Sequence, residues 1–301
     1  MSLRHTLFFA AVCSSFIAHG AVALADEQAA PGAGTGASAI RLPVPYVERG
    51  ITNPANILSP EFDLGISHVC YFLCADNGLT IGTLAVGAGY SFVDDFGFRA
   101  TAFVLQFNQP FQLASAAMGA TYRFARGNFE AGVALDWLYQ APANGAGSAG
   151  MVVLPSVPLH IHLGRSARLD ITPTMPISTA GIYVAPVAAE GGGKTTVGLY
   201  VPVQLNVQII DQIHLGLMTG LDMTFNPDSS IPLYQFGDTF FVPLGFQFGV
   251  TVPGAHGPIL DMTAFFEWPE LLVPAVHLEG ASAAQGGSWL TGVNFTTFLY
   301  L

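Results

Sequence analysis

Residues 195–225 read TTVGLYVPVQLNVQIIDQIHLGLMTGLDMTF, and they show the clearest periodic pattern in the chain. Two runs flank a short turn at 210–212, and in each run apolar side chains alternate with polar or small ones. Because side chains alternate between the two faces of a β-strand, each run has one apolar and one weakly polar face. The apolar face continues for about a dozen residues, which matches a tilted strand that crosses a bilayer. This stretch therefore predicts a transmembrane β-hairpin.

The composition agrees with a lipid-facing protein. Of the 301 residues, 51% are hydrophobic and only 10% are charged, against about 25% charged in soluble domains. The least charged later stretch, 171–189, carries prolines at 173, 176 and 186, which argue against a helix. A closed barrel is then the remaining way to pair every backbone polar group in lipid. The net charge of −11 and the single lysine exclude nucleic-acid binding, which needs clustered cations.

The N-terminal part of the chain divides into two segments. Residues 1–25 have the features of a cleaved signal peptide: Arg4, an apolar run over 6–23, and a small-residue site at 23–25. A retained membrane anchor is the alternative. Residues 26–55 are rich in Ala, Gly and Pro without periodicity, which predicts a flexible periplasmic segment. The barrel itself is predicted to occupy residues 56–301.

Alternating patterns predict about twelve strands in an all-β, closed antiparallel up-and-down barrel. The predicted strands are 56–68, 81–93, 96–106, 112–124, 128–139, 151–163, 168–178, 195–209, 213–225, 239–251, 258–268 and 289–301. Short connections alternate with longer ones rich in Gly, Ala and Pro, which is typical of outer-membrane barrels with periplasmic turns and longer outer loops. Several prolines fall inside these strands and predict bulges or shorter strands. They are Pro155, Pro158, Pro173, Pro176, Pro202 and Pro243.

In its strand pattern and connection lengths, the chain resembles the Gram-negative outer-membrane β-barrel proteins of the porin and transporter type. The last strand supports the resemblance, because its apolar residues share a face and Tyr300 is penultimate, although the chain ends in Leu where the type commonly has an aromatic. The resemblance implies a place in the cell outer membrane, with outer-membrane lipid and the barrel-assembly machinery as partners. A secreted β-sandwich is the rival fold, but it would need charged residues on its solvent faces.

Alternate residues of each strand, which we identify by their odd or even number (parity), face the barrel interior and are predicted to line a pore. They are Glu61, Asp63, Arg99, Arg123, Glu130, Asp136, His160, His162, Arg168, Asp170, Gln204, Asn206, His214, Asp222, Gln247, Asp261 and Glu267, with Gln208 and Asn294 on the same face. Ionisable groups are costly against lipid but tolerable in a polar lumen. We expect a channel or transporter for small hydrophilic solutes, with Asp136, Asp222 and Glu267 near the outer ends of their strands and a preference for cations. A plugged lumen, acting as a structural or ligand-binding barrel, is the alternative.

The remaining motifs are weaker indications of a chemical function. His160 and His162 share a strand face, as in some metal sites, but a hairpin register would place them beside Asp170 and Arg168 instead. Cys70 and Cys74 are either a disulfide or two free thiols. His68 and Cys70 are the nearest match to the His and Ser of outer-membrane phospholipases, with Cys where Ser belongs. We therefore predict no enzyme, no cofactor and no metal, and oligomeric state stays open.

Overall fold

The structure is a computed structural model that describes residues 42–69, 79–106, 112–140, 150–172, 174, 177–180, 195–225, 239–272 and 289–301. Within these residues the elements are a 3-10 turn at Tyr46–Glu48 and the strands β1 Ile57–Val69, β2 Leu79–Val93, β3 Phe96–Gln106, β4 Gln112–Ala125, β5 Phe129–Gln140, β6 Gly150–Ser156, β7 Leu159–His162, β8 Ala167–Ile171, β9 Ile177–Ala180, β10 Thr195–Ile210, β11 Ile213–Phe225, β12 Thr239–Pro253, β13 Pro258–Leu272, β14 Trp289–Thr297 and β15 Leu299–Tyr300. No described helix is long and apolar enough to cross a membrane. The predicted signal peptide and both Cys70 and Cys74 lie outside the described residues.

The sheet closes on itself. Neighbouring strands are antiparallel, and β14 returns to pair with β1. β6 and β7 both pair with β5 in one register, because Ala134 faces Ser156 while Ala131 faces Leu159. They are therefore two parts of one strand, and the same holds for β8 and β9 against β10. The result is a 12-strand antiparallel up-and-down barrel, which confirms the predicted fold class.

Prolines explain where the structure departs from continuous strands. The predicted strand 151–163 is interrupted at Val157 and Pro158, and 168–178 is interrupted between Ile171 and Ile177. Pro158 accepts a hydrogen bond from the Gly132 amide at 3.0 Å but has no N–H to return. Near Pro243 the β12–β13 register shifts instead, which is a bulge. Both expected outcomes therefore occur, whereas Pro155 in β6 and Pro202 in β10 are paired in the ladder without a break.

Alternation separates an apolar outer face from a polar inner face. On β1, Phe62, Leu64 and Ile66 are 43–49% exposed, whereas Glu61 and Ser67 are buried. Leu217, Phe246 and Phe248 are exposed in the same way on β11 and β12. An exposed apolar surface of this extent is stable against lipid, so the barrel spans a membrane.

The two ends of the barrel differ in their connections. At one end, which we call the short-turn end, connections are brief: 94–95, 126–128, 163–166, 211–212 and 254–257. Gly127 and Gly164 adopt positive φ angles of 118° and 77°, which other residues rarely tolerate. The connections at the opposite end are longer, and the longest of them spans residues 273–288. The predicted alternation is confirmed.

Residues 42–56 form an N-terminal plug inside the short-turn end. Leu42, Tyr46, Val47 and Arg49 are all at most 4% exposed, and Leu42 packs with Ile57 and Phe298 of the wall. The prediction of a flexible segment up to residue 55 is therefore wrong for residues 42–55. The Pro- and Gly-rich composition suggested flexibility, but the few large side chains in this stretch are buried against the barrel.

Candidate functional site

The predicted pore-lining residues lie on the inner face. Those that are at most 9% exposed are Glu61, Arg123, Glu130, Asp136, His160, Arg168, Asp170, Gln204, Asn206, His214, Gln247, Asp261 and Glu267. Asp63, Arg99, His162 and Asp222 are half-buried. That they line an open pore stays a prediction. What the structure establishes is that the interior near the short turns is filled with protein.

Arg49 anchors the plug to β12 and β13. Its guanidinium forms a two-pronged ion pair with Asp261, in which Nη2 lies 3.1 Å from Oδ1, and it donates to the Thr251 hydroxyl at 3.2 Å. The same group lies 5.5 Å from the ring centre of Phe298. Because Arg49 is 2% exposed, the ion pair is shielded from water, and losing either partner would leave a buried charge.

Arg168 holds the plug from β8. Its Nη1 donates to the carbonyl oxygens of Tyr46 and Arg49 at 2.9 and 2.6 Å. Nε and Nη2 bind the two oxygens of Asp170 at 2.6 and 2.9 Å. One guanidinium therefore joins the wall to two backbone groups of the plug, an arrangement that uses the planar fork of arginine.

Tyr46 lies at the centre of the plug. Its ring stacks on His214 of β11 at 4.1 Å, and the Arg168 guanidinium lies 4.8 Å from its centre. Burial raises the pKa of the Tyr46 hydroxyl to about 12, although the nearby Arg168 acts in the opposite direction. Tyr46 is therefore neutral over the physiological pH range, and its ring fills the space between β8 and β11.

Further contacts come from around the circumference. The Ile51 amide donates to Glu130 of β5 at 2.9 Å, and the Val47 amide donates to Gln208 of β10 at 3.2 Å. His162 Nδ1 lies 3.0 Å from the Val47 carbonyl oxygen, and Thr52 donates to the Asp94 carbonyl at 2.6 Å. Because these groups come from strands and turns on several sides of the barrel, the plug is held across the mouth.

Four arginines of the described interior each pair with a carboxylate. The pairs are Arg49 with Asp261, Arg99 with Asp136, Arg123 with Glu130 and Arg168 with Asp170. The pair of Arg99 and Asp136 corrects the sequence prediction that Asp136 belongs to an acidic outer end. Arg99 and Asp136 both pair with Gly119 in register, which brings their side chains together across β4. A Cβ at Gly119 would lie 1.8 Å from Asp136 Oδ1, so glycine is required for the carboxylate to occupy this position.

Amide side chains continue the network above the plug. Gln204 donates to Asn206 and Gln247 at 2.7 and 3.1 Å, and Asn206 donates to Asp170 at 2.6 Å. Gln247 also lies 3.2 Å from His214. The polar face of residues 195–225 is therefore a connected hydrogen-bond network and not a row of solvated groups.

The hairpin register predicted for the histidines is confirmed. His160 faces Asp170 and His162 faces Arg168, with His160 Nε2 at 3.7 Å from Asp170 Oδ1. In the described parts of the chain, no group of three His, Cys, Asp or Glu residues has the arrangement of a metal site. These histidines belong to the packing around the plug.

Turn residues extend the network to the surface. Arg123 donates to Asp95 at 3.1 Å, and Arg126 donates to the same carboxylate at 2.8 Å. Burial raises the pKa of Asp95, but the hydrogen bonds from Arg126 and Arg123 outweigh it and hold that pKa below its usual value. Asp95 therefore stays ionised and ties two turns together.

Sequence reasoning missed two groups of interior residues. The first is the plug, in which Tyr46 and Arg49 make most of the polar and ring contacts to the wall. The second is two apolar clusters that point inward, Leu138 with Val152 and Leu154, and Met218 with Phe265 and Leu290. A Tyr and an Arg within four residues were the available signal for the first group. For the second, parity placed the residues correctly, but a polar lumen was assumed.

Comparisons with known proteins support the fold. An outer membrane channel from Pseudomonas putida F1 superposes with a TM-score of 0.53 at 9% identity, over 82% of this chain and 97% of that chain. The NanC porin gives a TM-score of 0.49 at 7% identity, over 79% of this chain and 100% of that chain. The KdgM porin, solved in complex with disordered oligogalacturonate, gives 0.47 at 7% identity, over 79% and 98%. No protein-family model matches the chain, and no curated protein matches it in sequence. At such identities the likeness concerns the fold, which is that of the barrels the sequence resembles.

Proposed function

We propose that this protein is an outer-membrane channel for small hydrophilic solutes, closed at its short-turn end by the plug. The observation that carries the proposal is the way the plug is held. Arg168, Asp261, Glu130, Gln208 and His162 of the wall all contact it through side chains. A segment held by side chains can leave the mouth while the strands stay paired with one another, because residues 42–55 form none of the described strand-to-strand pairs.

Charge supports a preference for cations. Besides the four arginine–carboxylate pairs, the described inner face has further carboxylates at Asp63, Asp222 and Glu267. These three lie at mid-height or nearer the long connections, so the described carboxylates above the plug outnumber the arginines there. Carboxylates in a narrow lumen concentrate counter-ions. Small cations or cationic solutes would therefore be favoured once the plug moves.

A second candidate is a permanently closed barrel with a structural or ligand-binding role. The observation in its favour is burial, since Arg168, Glu130 and Asn206 are 0% exposed and His214 is 1% exposed. A network this deeply buried is costly to open, because each group that loses its partner pays a desolvation penalty.

Planar-bilayer conductance distinguishes the two candidates. We expect brief, rare openings for the wild type and long-lived conductance steps for Arg49→Ala, which removes the anchor to Asp261. Arg165→Ala is the matched control, because Arg165 is exposed in the β7–β8 turn at the same mouth.

In a salt gradient, the open variant should prefer cations, and adding Asp222→Asn with Glu267→Gln should reduce that preference. If Arg49→Ala shows no conductance at any applied voltage, the permanently closed barrel is favoured. An anion-selective current would contradict the cation preference.

A further inference from the structure

Glu61 of β1 is a buried carboxylate that the described residues leave without a partner. Its side chain is 9% exposed, and its Oε1 atom is buried without a hydrogen bond from any described group. The four arginine–carboxylate pairs of the described interior involve other carboxylates. A buried carboxylate without a counter-charge is costly, so this position indicates a bound cation or a bound proton.

The neighbouring side chains on β14 have no hydrogen left for Glu61. Thr296 lies opposite Glu61 in register, and Asn294 lies opposite Asp63. The Thr296 hydroxyl donates to Asn294 Oδ1 at 3.0 Å, and the Asn294 amide donates to Asp63. Because a hydroxyl has one hydrogen, Thr296 presents only lone pairs to its other neighbours. Glu61 and Thr296 therefore meet as two acceptors.

The strands on the other side of Glu61 leave the carboxylates in excess. Gly87 lies opposite Glu61 on β2 and has no side chain to donate a hydrogen bond. The arginine on this side is Arg99 of β3, whose guanidinium binds both oxygens of Asp136. With Glu61 and Asp63, this part of the described inner face has three carboxylates and one arginine.

The opposite side of Thr296 shows how the protein satisfies the same arrangement. Asp261 of β13 lies opposite Thr296, so Glu61, Thr296 and Asp261 form one row across three strands. At one end of the row, Arg49 of the plug places its guanidinium on Asp261. Glu61 has the equivalent place at the other end, without such a cation. A cation from solution would complete the row.

The chemistry of the available groups selects the kind of cation. Glu61 and Asp63 are two residues apart on one strand face, with Cα atoms roughly 7 Å apart, so one ion can contact both carboxylates. Together with the Thr296 hydroxyl, the ligands are all oxygen atoms, which suit a hard divalent cation. Ca²⁺ accepts about six to eight oxygens in irregular geometry, whereas Mg²⁺ requires a nearly octahedral shell. This uneven set therefore favours Ca²⁺.

We propose that Glu61, Asp63 and Thr296 form a Ca²⁺ site on the inner face of β1 and β14, beside the contact of Arg49 with Asp261. Water molecules of the lumen complete the coordination shell. The segments that form the site, 57–68 and 289–301, are described throughout. The proposal concerns binding alone, so it does not rest on the proposed channel activity.

Calorimetric titration of CaCl₂ into the folded, detergent-solubilised full chain tests the site. We expect one high-affinity site in the wild type and at least tenfold weaker binding to Glu61→Gln, which keeps the side-chain shape and removes the charge. Asp211→Asn is the matched control, because it also replaces a carboxylate by an amide but lies exposed in the β10–β11 turn. Migration of the folded barrel on unheated gels shows that both variants are folded.

Unfolding in urea gives a second readout of the same site. Because a ligand that binds the folded state stabilises it, Ca²⁺ should raise the urea midpoint of the wild type and of Asp211→Asn, but not that of Glu61→Gln. Mg²⁺ should bind the wild type at least tenfold more weakly than Ca²⁺.

Three results would overturn the proposal. A wild type that binds no Ca²⁺ would mean that a proton is the partner of Glu61. Equal Ca²⁺ binding to the wild type and Glu61→Gln would mean that the ion binds adventitiously elsewhere. Equal affinities for Ca²⁺ and Mg²⁺ would contradict the irregular oxygen site.

Discussion

The wall of the barrel is built in two different ways. From β10 to β13 the strands are 13 to 16 residues long, and the β10–β11 ladder extends from Val197 with Phe225 to Ile210 with Ile213. From β6 to β9 the strands are 4 to 7 residues long and the ladder is interrupted. Both walls present apolar residues to lipid. The difference is that backbone pairing holds the first, which we call the complete wall, and side chains reinforce the second, which we call the interrupted wall.

At the short-turn end, the plug adds side-chain contacts to the interrupted wall. Arg168 and His162, from the hairpin of β7 and β8, both bind backbone carbonyls of the plug. Hydrogen bonds that involve a charged group contribute more than neutral ones, and burial makes their loss costly. A short hairpin that would be marginal by itself is thereby fixed from inside.

The largest effect is therefore expected at Arg168. Arg168→Met should lower the free energy of unfolding by about 3–5 kcal/mol, because it leaves the buried Asp170 carboxylate without its cation. Urea unfolding in lipid, followed by tryptophan fluorescence, measures the change. The double variant Arg168→Met with Asp170→Leu should regain more than half of the loss, since an apolar pair leaves no buried charge. A loss below about 1 kcal/mol for the single variant would mean that the interrupted wall does not depend on this contact.

The complete wall should be sensitive on its lipid face instead. Phe246 is 49% exposed at the middle of β12, and Phe246→Arg should cost about 2–4 kcal/mol at the membrane midplane. Ile259 is exposed to a similar degree but lies beside the short turn, so Ile259→Arg should cost only about 0–1 kcal/mol. The same urea titration applies. Equal costs at the two positions would contradict the assigned depth in the membrane.

These contrasts also show what the sequence could predict. Period-two alternation placed the strands, because a one-residue slip would move every apolar side chain from lipid to the interior. Turn composition then placed the short and long connections. Both signals are local, so they were sufficient for β10, β11 and the other long hairpins.

The interior depended on contacts between distant parts of the chain. Arg49 and Asp261 are 212 residues apart, and nothing near Arg49 in sequence indicates that partner. Parity placed Asp136 on the inner face, but its height relative to Arg99 depends on the registers of two successive strand pairs. The plug was missed for the same reason, since its structure comes from the barrel around it and not from its own sequence pattern.

The smallest predicted effect concerns the break itself. The Pro158 carbonyl already accepts from the Gly132 amide, and paired residues of this kind in an antiparallel ladder exchange two hydrogen bonds. Pro158→Ala should therefore supply the missing donor. The new bond would contribute about 0.5–1.5 kcal/mol, but the more flexible unfolded chain would offset about 0.4–1 kcal/mol of it. Global stability should hardly change.

Hydrogen exchange at single-peptide resolution can detect the local change. In the wild type, amides of residues 157–163 should exchange at least tenfold faster than those of residues 215–221 on the complete wall, because fewer ladder bonds protect them. Pro158→Ala should narrow that difference, whereas Pro253→Ala, at the exposed end of β12, should leave it unchanged. If the two peptides exchange equally in the wild type, the two walls are equally stable and the distinction between them is wrong. If they differ but Pro158→Ala has no effect, the missing donor at residue 158 is not what weakens the interrupted wall.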